Sequence, residues 1–225
     1  VPLRAIVFDF DGVIANSEPL HYQAFRDVLA VEGVTLGEAD YYARYLGYDD
    51  AGAFAAVGSD HNRPWTSSDI AGFVARKADQ MTELERNATV LFPGAADTVR
   101  RVAAAMPIAI ASGALGHEIR RVLDRENLTE YFSAIVAAED TGRSKPAPDP
   151  YLRAVELLRE SIPGLQPAHC VAVEDSAWGL ESARVAGLRT LGVAQSYPAT
   201  MLSADVVIAS ISELDLVSLY KLVGT

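Results

Sequence analysis

Six short runs of apolar, largely β-branched residues set what this chain can fold into. They are Ala5-Ile6-Val7-Phe8, Ile108-Ala109-Ile110-Ala111, Ala134-Ile135-Val136-Ala137, Val171-Ala172-Val173, Thr190-Leu191-Gly192-Val193 and Val206-Val207-Ile208. Unbroken apolar runs of this length read as strands buried on both faces. Helical patterns lie between them. Leu115, Ile119, Val122 and Leu123 recur on one helix face, as do Tyr151, Val155 and Leu158 after a start signal of Asp149 and Pro150. Ser176 reads as the N-cap of a helix running to Ala186 and stopped by Gly187, and Val217 and Tyr220 suggest a last helix. Strands alternating with helices predict an α/β fold, a Rossmann-like parallel sheet with helices on both faces.

Residues 16–90 break that rhythm. Leu20, Ala24, Phe25, Val28 and Leu29 predict one helix, closed by Gly33. Ile70, Phe73, Val74, Lys77, Met81 and Leu84 predict another, capped by Ser67 or Ser68. Tyr41, Tyr42, Tyr45, Tyr48 and Phe54 fall between, in one or two shorter helices. An all-helical stretch directly after the first strand reads as an inserted domain. The expected division is a core of 1–15 and 91–225 with a helical cap of 16–90, and Phe92-Pro93-Gly94 marks the return.

The chain carries 19 Lys and Arg against 30 Asp and Glu, a net charge of −11 over 225 residues. That balance speaks against nucleic acid as a partner, because cationic side chains supply most of such affinity. It leaves anionic ligands open, since a metal or a placed lysine inverts the local field. The single cysteine, Cys170, excludes an intrachain disulfide and sits in an apolar run, as a core thiol does. No apolar stretch is long enough to span a bilayer. The expectation is a soluble, unprocessed, cytoplasmic protein with no membrane partner, monomeric or a weak homodimer.

Four polar sets stand at the carboxyl ends of predicted strands, where open parallel sheets bind ligands. The first strand ends in Asp9-Phe10-Asp11-Gly12, the second in Ser112-Gly113, the fourth in Glu174-Asp175-Ser176, and Ser144-Lys145-Pro146 follows the third. Each alone is an ordinary turn or capping sequence. Together they make chemical sense. Mg²⁺ takes oxygen ligands and usually one or two carboxylates, which Asp9 and Asp175 can supply with a backbone carbonyl from the Asp11 turn. Ser112, Gly113 before a helix N-terminus, and Lys145 suit phosphate oxygens. A carboxylate can serve as nucleophile through an aspartyl-phosphate, with a second carboxyl as acid and base.

Asp9-Phe10-Asp11-Gly12-Val13, Ser112, Lys145 and Glu174-Asp175 resemble, in order and spacing, the four motifs of the haloacid dehalogenase-like hydrolase superfamily. The helical insert resembles the cap of the branch that includes β-phosphoglucomutase and phosphoglycolate phosphatase. The resemblance implies Asp9 as nucleophile, Asp11 as general acid and base, Ser112 and Lys145 as phosphate binders, and Asp9, Asp175, Glu174 and the Asp11 carbonyl around Mg²⁺. It implies a Mg²⁺-dependent phosphatase acting on a small phosphorylated metabolite. Ser17 and His21 resemble the hinge of the phosphoglucomutase-like members. Lys77 resembles the cap lysine that meets this histidine on cap closure; a helix-face histidine without a role is the other reading. Where those mutases carry a phosphate-gripping arginine, this chain reads Leu46-Gly47-Tyr48-Asp49-Asp50. Acids there would repel a second phosphate, which favours a phosphatase over a mutase. The remaining alternatives are a dehalogenase, which would have no use for Asp11, and a phospholigand-binding module without turnover.

Overall fold

The computed structural model of the chain describes residues 2–46, 48, 50–87 and 89–224, with only the backbone of Glu85 and Asn87. The strands are β1 (Ala5–Phe8), β2 (Ile108–Ala111), β3 (Phe132–Val136), β4 (Cys170–Glu174), β5 (Arg189–Val193) and β6 (Val206–Ile208). They form one sheet in the order β3-β2-β1-β4-β5-β6, every pairing parallel. The chain first winds outward from β1 on one side and then returns to wind outward on the other. β1 and β4 are therefore central neighbours, and the sheet reverses direction of winding between them, where ligands bind beyond the strand ends. β3 begins two residues earlier than its apolar run, because Phe132 pairs with Ile108.

Two compact units emerge from the contacts, Val1–Asn16 with Val90–Thr225, and Ser17–Thr89. Asn16 and Val90 lie with the sheet unit rather than in the insert. The Asn16 N–H donates to the Val90 carbonyl, and Ala15 bridges Leu91, so the outgoing and returning segments are tied together.

The insert is helical: α1 (Glu18–Val31), a short α2 (Glu38–Asp40) running into a π-turn at Tyr41–Tyr45, α3 (Asp50–Asp60) and α4 (Ser67–Asn87). Its core is aromatic, with Phe25 against Phe54 at 4.8 Å and Trp65 edge-on to Phe73 at 4.9 Å. Of Tyr41, Tyr42, Tyr45 and Tyr48, the first and third are buried in it while Tyr42 and Tyr48 are exposed. The α4 cap is neither Ser67 nor Ser68. Thr66 accepts from the Asp69 N–H, and Asp69 accepts from the Thr66 N–H, a reciprocal pair one residue earlier.

The sheet unit adds α5 (Ala95–Ala103), α6 (Gly116–Arg125), α7 (Asp149–Leu158), α8 (Ala177–Val185) and α9 (Leu216–Val223). One sheet face is lined by the small residues Ala5, Val7, Ala109, Ala111, Cys170 and Ala172, packed on Tyr151, Ala154 and Val155 of α7 and Ala183 of α8. Ile6, Phe8, Ile108, Ile110, Val171 and Val173 alternate with them and are equally buried, so the opposite face is covered too. Cys170 is a buried free thiol, and burial pushes its pKa up to about 12. The last helix forms, but Val217 and Tyr220 face solvent, and Leu219 and Val223 carry its buried face. No helix among the described residues is long and apolar enough to cross a membrane.

Candidate active site

Asp9 follows β1 and is held by the neighbouring strand β4, by the next residue and by Lys145. Its N–H donates to the Val173 carbonyl at 2.9 Å, extending the β1–β4 ladder by one residue. Its side chain is buried, and Oδ1 receives the Phe10 N–H at 2.7 Å and Lys145 Nζ at 2.8 Å. Burial and the charge of Glu174 hold the Asp9 pKa well above the usual carboxylate range, against the pull of Lys145.

Glu174, the last residue of β4, is the hub. It is fully buried. Oε1 accepts from Lys145 Nζ at 2.7 Å and from the Tyr151 hydroxyl at 3.0 Å. Oε2 accepts from the N–H groups of Asp175 and Ser176, both at 3.1 Å, and from the Ser176 hydroxyl at 3.0 Å. Both oxygens are occupied by protein donors, so Glu174 fixes Lys145 and the start of α8. Burial alone would lower the Lys145 pKa, but flanking Asp9 and Glu174 raise it above the ordinary lysine value, so Lys145 stays charged. Burial pushes Asp175 up to about 6, against a hydrogen bond from Ser196 and together with the charge of Glu174.

Ligand atoms of Asp9, Glu174 and Asp175 lie within 4.8 Å of one another. Three carboxylates with one ammonium leave excess negative charge in a buried place, the condition a divalent cation relieves. Gly12 keeps room there. It sits at φ +77°, and a Cβ on it would meet Asp175 Oδ2 at 1.8 Å. The oxygen-only donor set suits a hard cation such as Mg²⁺.

Asp11 is reached through a turn, not along an extended strand, because β1 stops at Phe8. The N–H groups of Ile14 and Ala15 both donate to the Phe10 carbonyl at 2.8 Å, and Gly12 N–H donates to the Ala15 carbonyl. The Asp11 carboxylate is not among the three acids that lie together. Ser112 is buried after β2. Its N–H continues the sheet to Val136, and its hydroxyl accepts from the Ala114 N–H at 3.0 Å. Gly113 is exposed, and a Cβ there would meet nothing. The helix does not follow directly. α6 starts at Gly116, whose N–H is taken by Glu139 at 3.0 Å, while Leu115 N–H donates to Glu118. The first turn of α6 therefore does not stand directly behind Ser112, and the Ser112 and Ala114 N–H groups are spent inside the protein.

In the helical unit, His21 on α1 meets Lys77 on α4, with Nζ 2.8 Å from Nδ1. The contact is internal to that unit and needs no closure to form. Lys77 is buried, pairs with Asp50, and lies 4.5 Å from the Phe25 ring centroid. Asp50, one of the acids at the mutase arginine position, is thus neutralised by Lys77; Gly47 and Asp49 lie outside the described residues. Ser17 caps α1 without a side-chain cap bond, its carbonyl accepting from Leu20 and His21. An ammonium can only donate, so His21 Nδ1 accepts and the ring is neutral. Burial, then the charge of Lys77, lowers the His21 pKa to about 4. The unfolded histidine, near the ordinary value of 6.5, takes its proton first. Its contribution is whole above that value and is lost as pH falls toward 4. Between about pH 7.5 and about pH 5 this costs about 2 kcal/mol. Denaturant melts should show that loss in the wild type and its absence in His21→Gln; parallel curves would refute it.

Tyr151, Ser196, Gly179 and Gln195 were not singled out from the sequence, although all bear on the site. Tyr151 was visible only as a helix-face apolar residue, and Ser196 and Gln195 lie in a loop with no motif.

Residues 3–187 match the family model described as haloacid dehalogenase-like hydrolase. The chain is 33% identical over 204 residues to Protein CbbY of Rhodobacter capsulatus, covering 87% of each. It is 31% identical to Hexitol phosphatase B of Escherichia coli K12, covering 94% of each. The crystal structure of CbbY from Rhodobacter sphaeroides in complex with phosphate superposes with a TM-score of 0.78 at 26% identity, over 98% of this chain and 100% of that one.

Proposed function

The chain belongs to the haloacid dehalogenase-like hydrolases, and from that premise we propose that it is a Mg²⁺-dependent phosphomonoesterase of a sugar phosphate or sugar-alcohol phosphate. The observation that carries this is the buried set of Asp9, Lys145, Glu174 and Asp175 at the carboxyl ends of β1 and β4. A nucleophilic carboxylate is useless against a phosphate dianion unless positive charge draws the two together. Lys145 supplies one such charge, and a divalent cation held by Asp9, Asp175 and the Asp11 carbonyl supplies the rest when bound.

Asp9 Oδ attacks phosphorus, and the ester P–O bond breaks. Asp11 gives its proton to the leaving alkoxide, and Ser112 and Lys145 hold the non-bridging oxygens. Water then attacks the aspartyl-phosphate, Asp11 takes a proton from it, and phosphate is released. The similarity to a hexitol phosphatase supports the substrate class. Asp50 favours hydrolysis over phosphosugar mutation, because a carboxylate there does not grip a second phosphate.

The test is phosphate release from p-nitrophenyl phosphate, sorbitol 6-phosphate and a panel of sugar phosphates, with Mg²⁺ and with chelator. Release is expected only with the metal. Saturable, Mg²⁺-dependent thermal stabilisation by these compounds without release would instead mark a binding module.

A further inference from the structure

The turn that presents Asp11 is gripped from outside by one side chain. The N–H groups of Gly12, Ile14 and Ala15 are satisfied inside the turn. The outward carbonyls of Gly12 and Val13 accept from Gln195 Nε2, at 3.1 and 3.2 Å. Gln195 Oε1 accepts from the Ile211 N–H at 2.8 Å. The amide orientation is fixed by its partners, since two carbonyls can only accept and an N–H can only donate.

Gln195 is itself anchored. The N–H of Ala194 donates to the Ile208 carbonyl at 2.9 Å, prolonging the β5–β6 ladder, and Ser196 is bonded to Asp175. On its other side the turn is stopped by Asp175, against which a Cβ at Gly12 would collide. The turn that carries Asp11 therefore sits between the acid cluster and a clamp from the loop after β5, 183 residues beyond Gly12 in sequence.

We infer that Gln195 is a positioning residue for Asp11, acting on proton transfer through the turn. The inference rests on the phosphomonoesterase reading, in which Asp11 protonates the leaving oxygen. Misplacing an acid costs most when the leaving group needs the proton. An alkoxide needs it; p-nitrophenolate, stabilised by its nitro group, leaves without it.

Gln195→Glu keeps an oxygen for Ile211 but turns the donor amide into an acceptor facing two carbonyls. For sorbitol 6-phosphate, kcat/KM should fall by about 10- to 100-fold, while for p-nitrophenyl phosphate the change stays within about threefold. Asp11→Asn should show the same selectivity, larger. A general structural defect would lower both substrates together, and that result, or no loss on either, overturns the inference. If Gln195→Glu fails to fold, Gln195→Met, which removes the bonds without adding charge, is read by the same criterion. If Asp11→Asn is selective and the Gln195 variant is not, the inference falls and the phosphatase reading stands. If Asp11→Asn shows no selectivity, Asp11 is not the acid and both fall.

Discussion

Asp9→Asn is expected to abolish turnover, by about 10⁴-fold or more, in a protein that still folds. The amide is nearly isosteric with the carboxylate but cannot attack phosphorus. Stability should hold or rise in metal-free buffer. Asp9 is buried beside Glu174 and Asp175, and its raised pKa says that its charge is costly there. Removing that charge relieves the repulsion, while Lys145 keeps Glu174 as partner at 2.7 Å. Lost activity with an unchanged or higher melting temperature is the signature of a residue kept for chemistry at the expense of stability. Near-normal turnover of the Asp9→Asn protein would mean that water attacks phosphorus directly.

The second large effect is on the frame that holds the site. Alanine is the better helix former, by about 1 kcal/mol over glycine. At Gly179 of α8, however, a Cβ would lie 1.7 Å from Glu174 Oε1 and 1.9 Å from its carboxyl carbon. Glu174 cannot step aside without leaving Lys145, Tyr151 and Ser176, all of which bond it. Gly179→Ala should destabilise by about 2–4 kcal/mol, lower the melting temperature by roughly 5–15 °C, and remove most activity by displacing Lys145. Gly72→Ala is the comparison. That position is also helical, and nothing lies within 4 Å of an added Cβ there. It should stabilise by about 0.5–1 kcal/mol. A Gly179→Ala protein as stable and active as the wild type would show that Glu174 is not the rigid hub its bonds describe.

Much of the sheet was legible because buried parallel strands are unbroken apolar runs. Misjudgements came where local pattern and tertiary partner diverge. Val217 and Tyr220 suggested the last helix without its orientation, and they face solvent while Leu219 and Val223 meet the core, since spacing does not say which side is buried. Ser112 read as standing directly before a helix, yet α6 begins at Gly116, whose N–H is taken by Glu139, 23 residues further on, and the Leu115 N–H before it by Glu118. Thr66 capped α4 ahead of two serines that looked equally able, because Asp69 answers Thr66 and no acid answers them in the same way.

By itself the sequence determined the α/β alternation, the helical interruption after β1, and the residue types that meet at the strand ends. These follow from local rules: apolar runs make strands, and a parallel sheet brings the ends of all its strands to one edge. What only the tertiary structure decided was the division of labour there. Glu174 read only as one more acid beside the metal, and its five donors make it a brace for Lys145 as well. Gln195 carried no signal at all. A hydrogen bond spanning 183 residues leaves no trace in spacing, because the partner is chosen by where two loops come to rest.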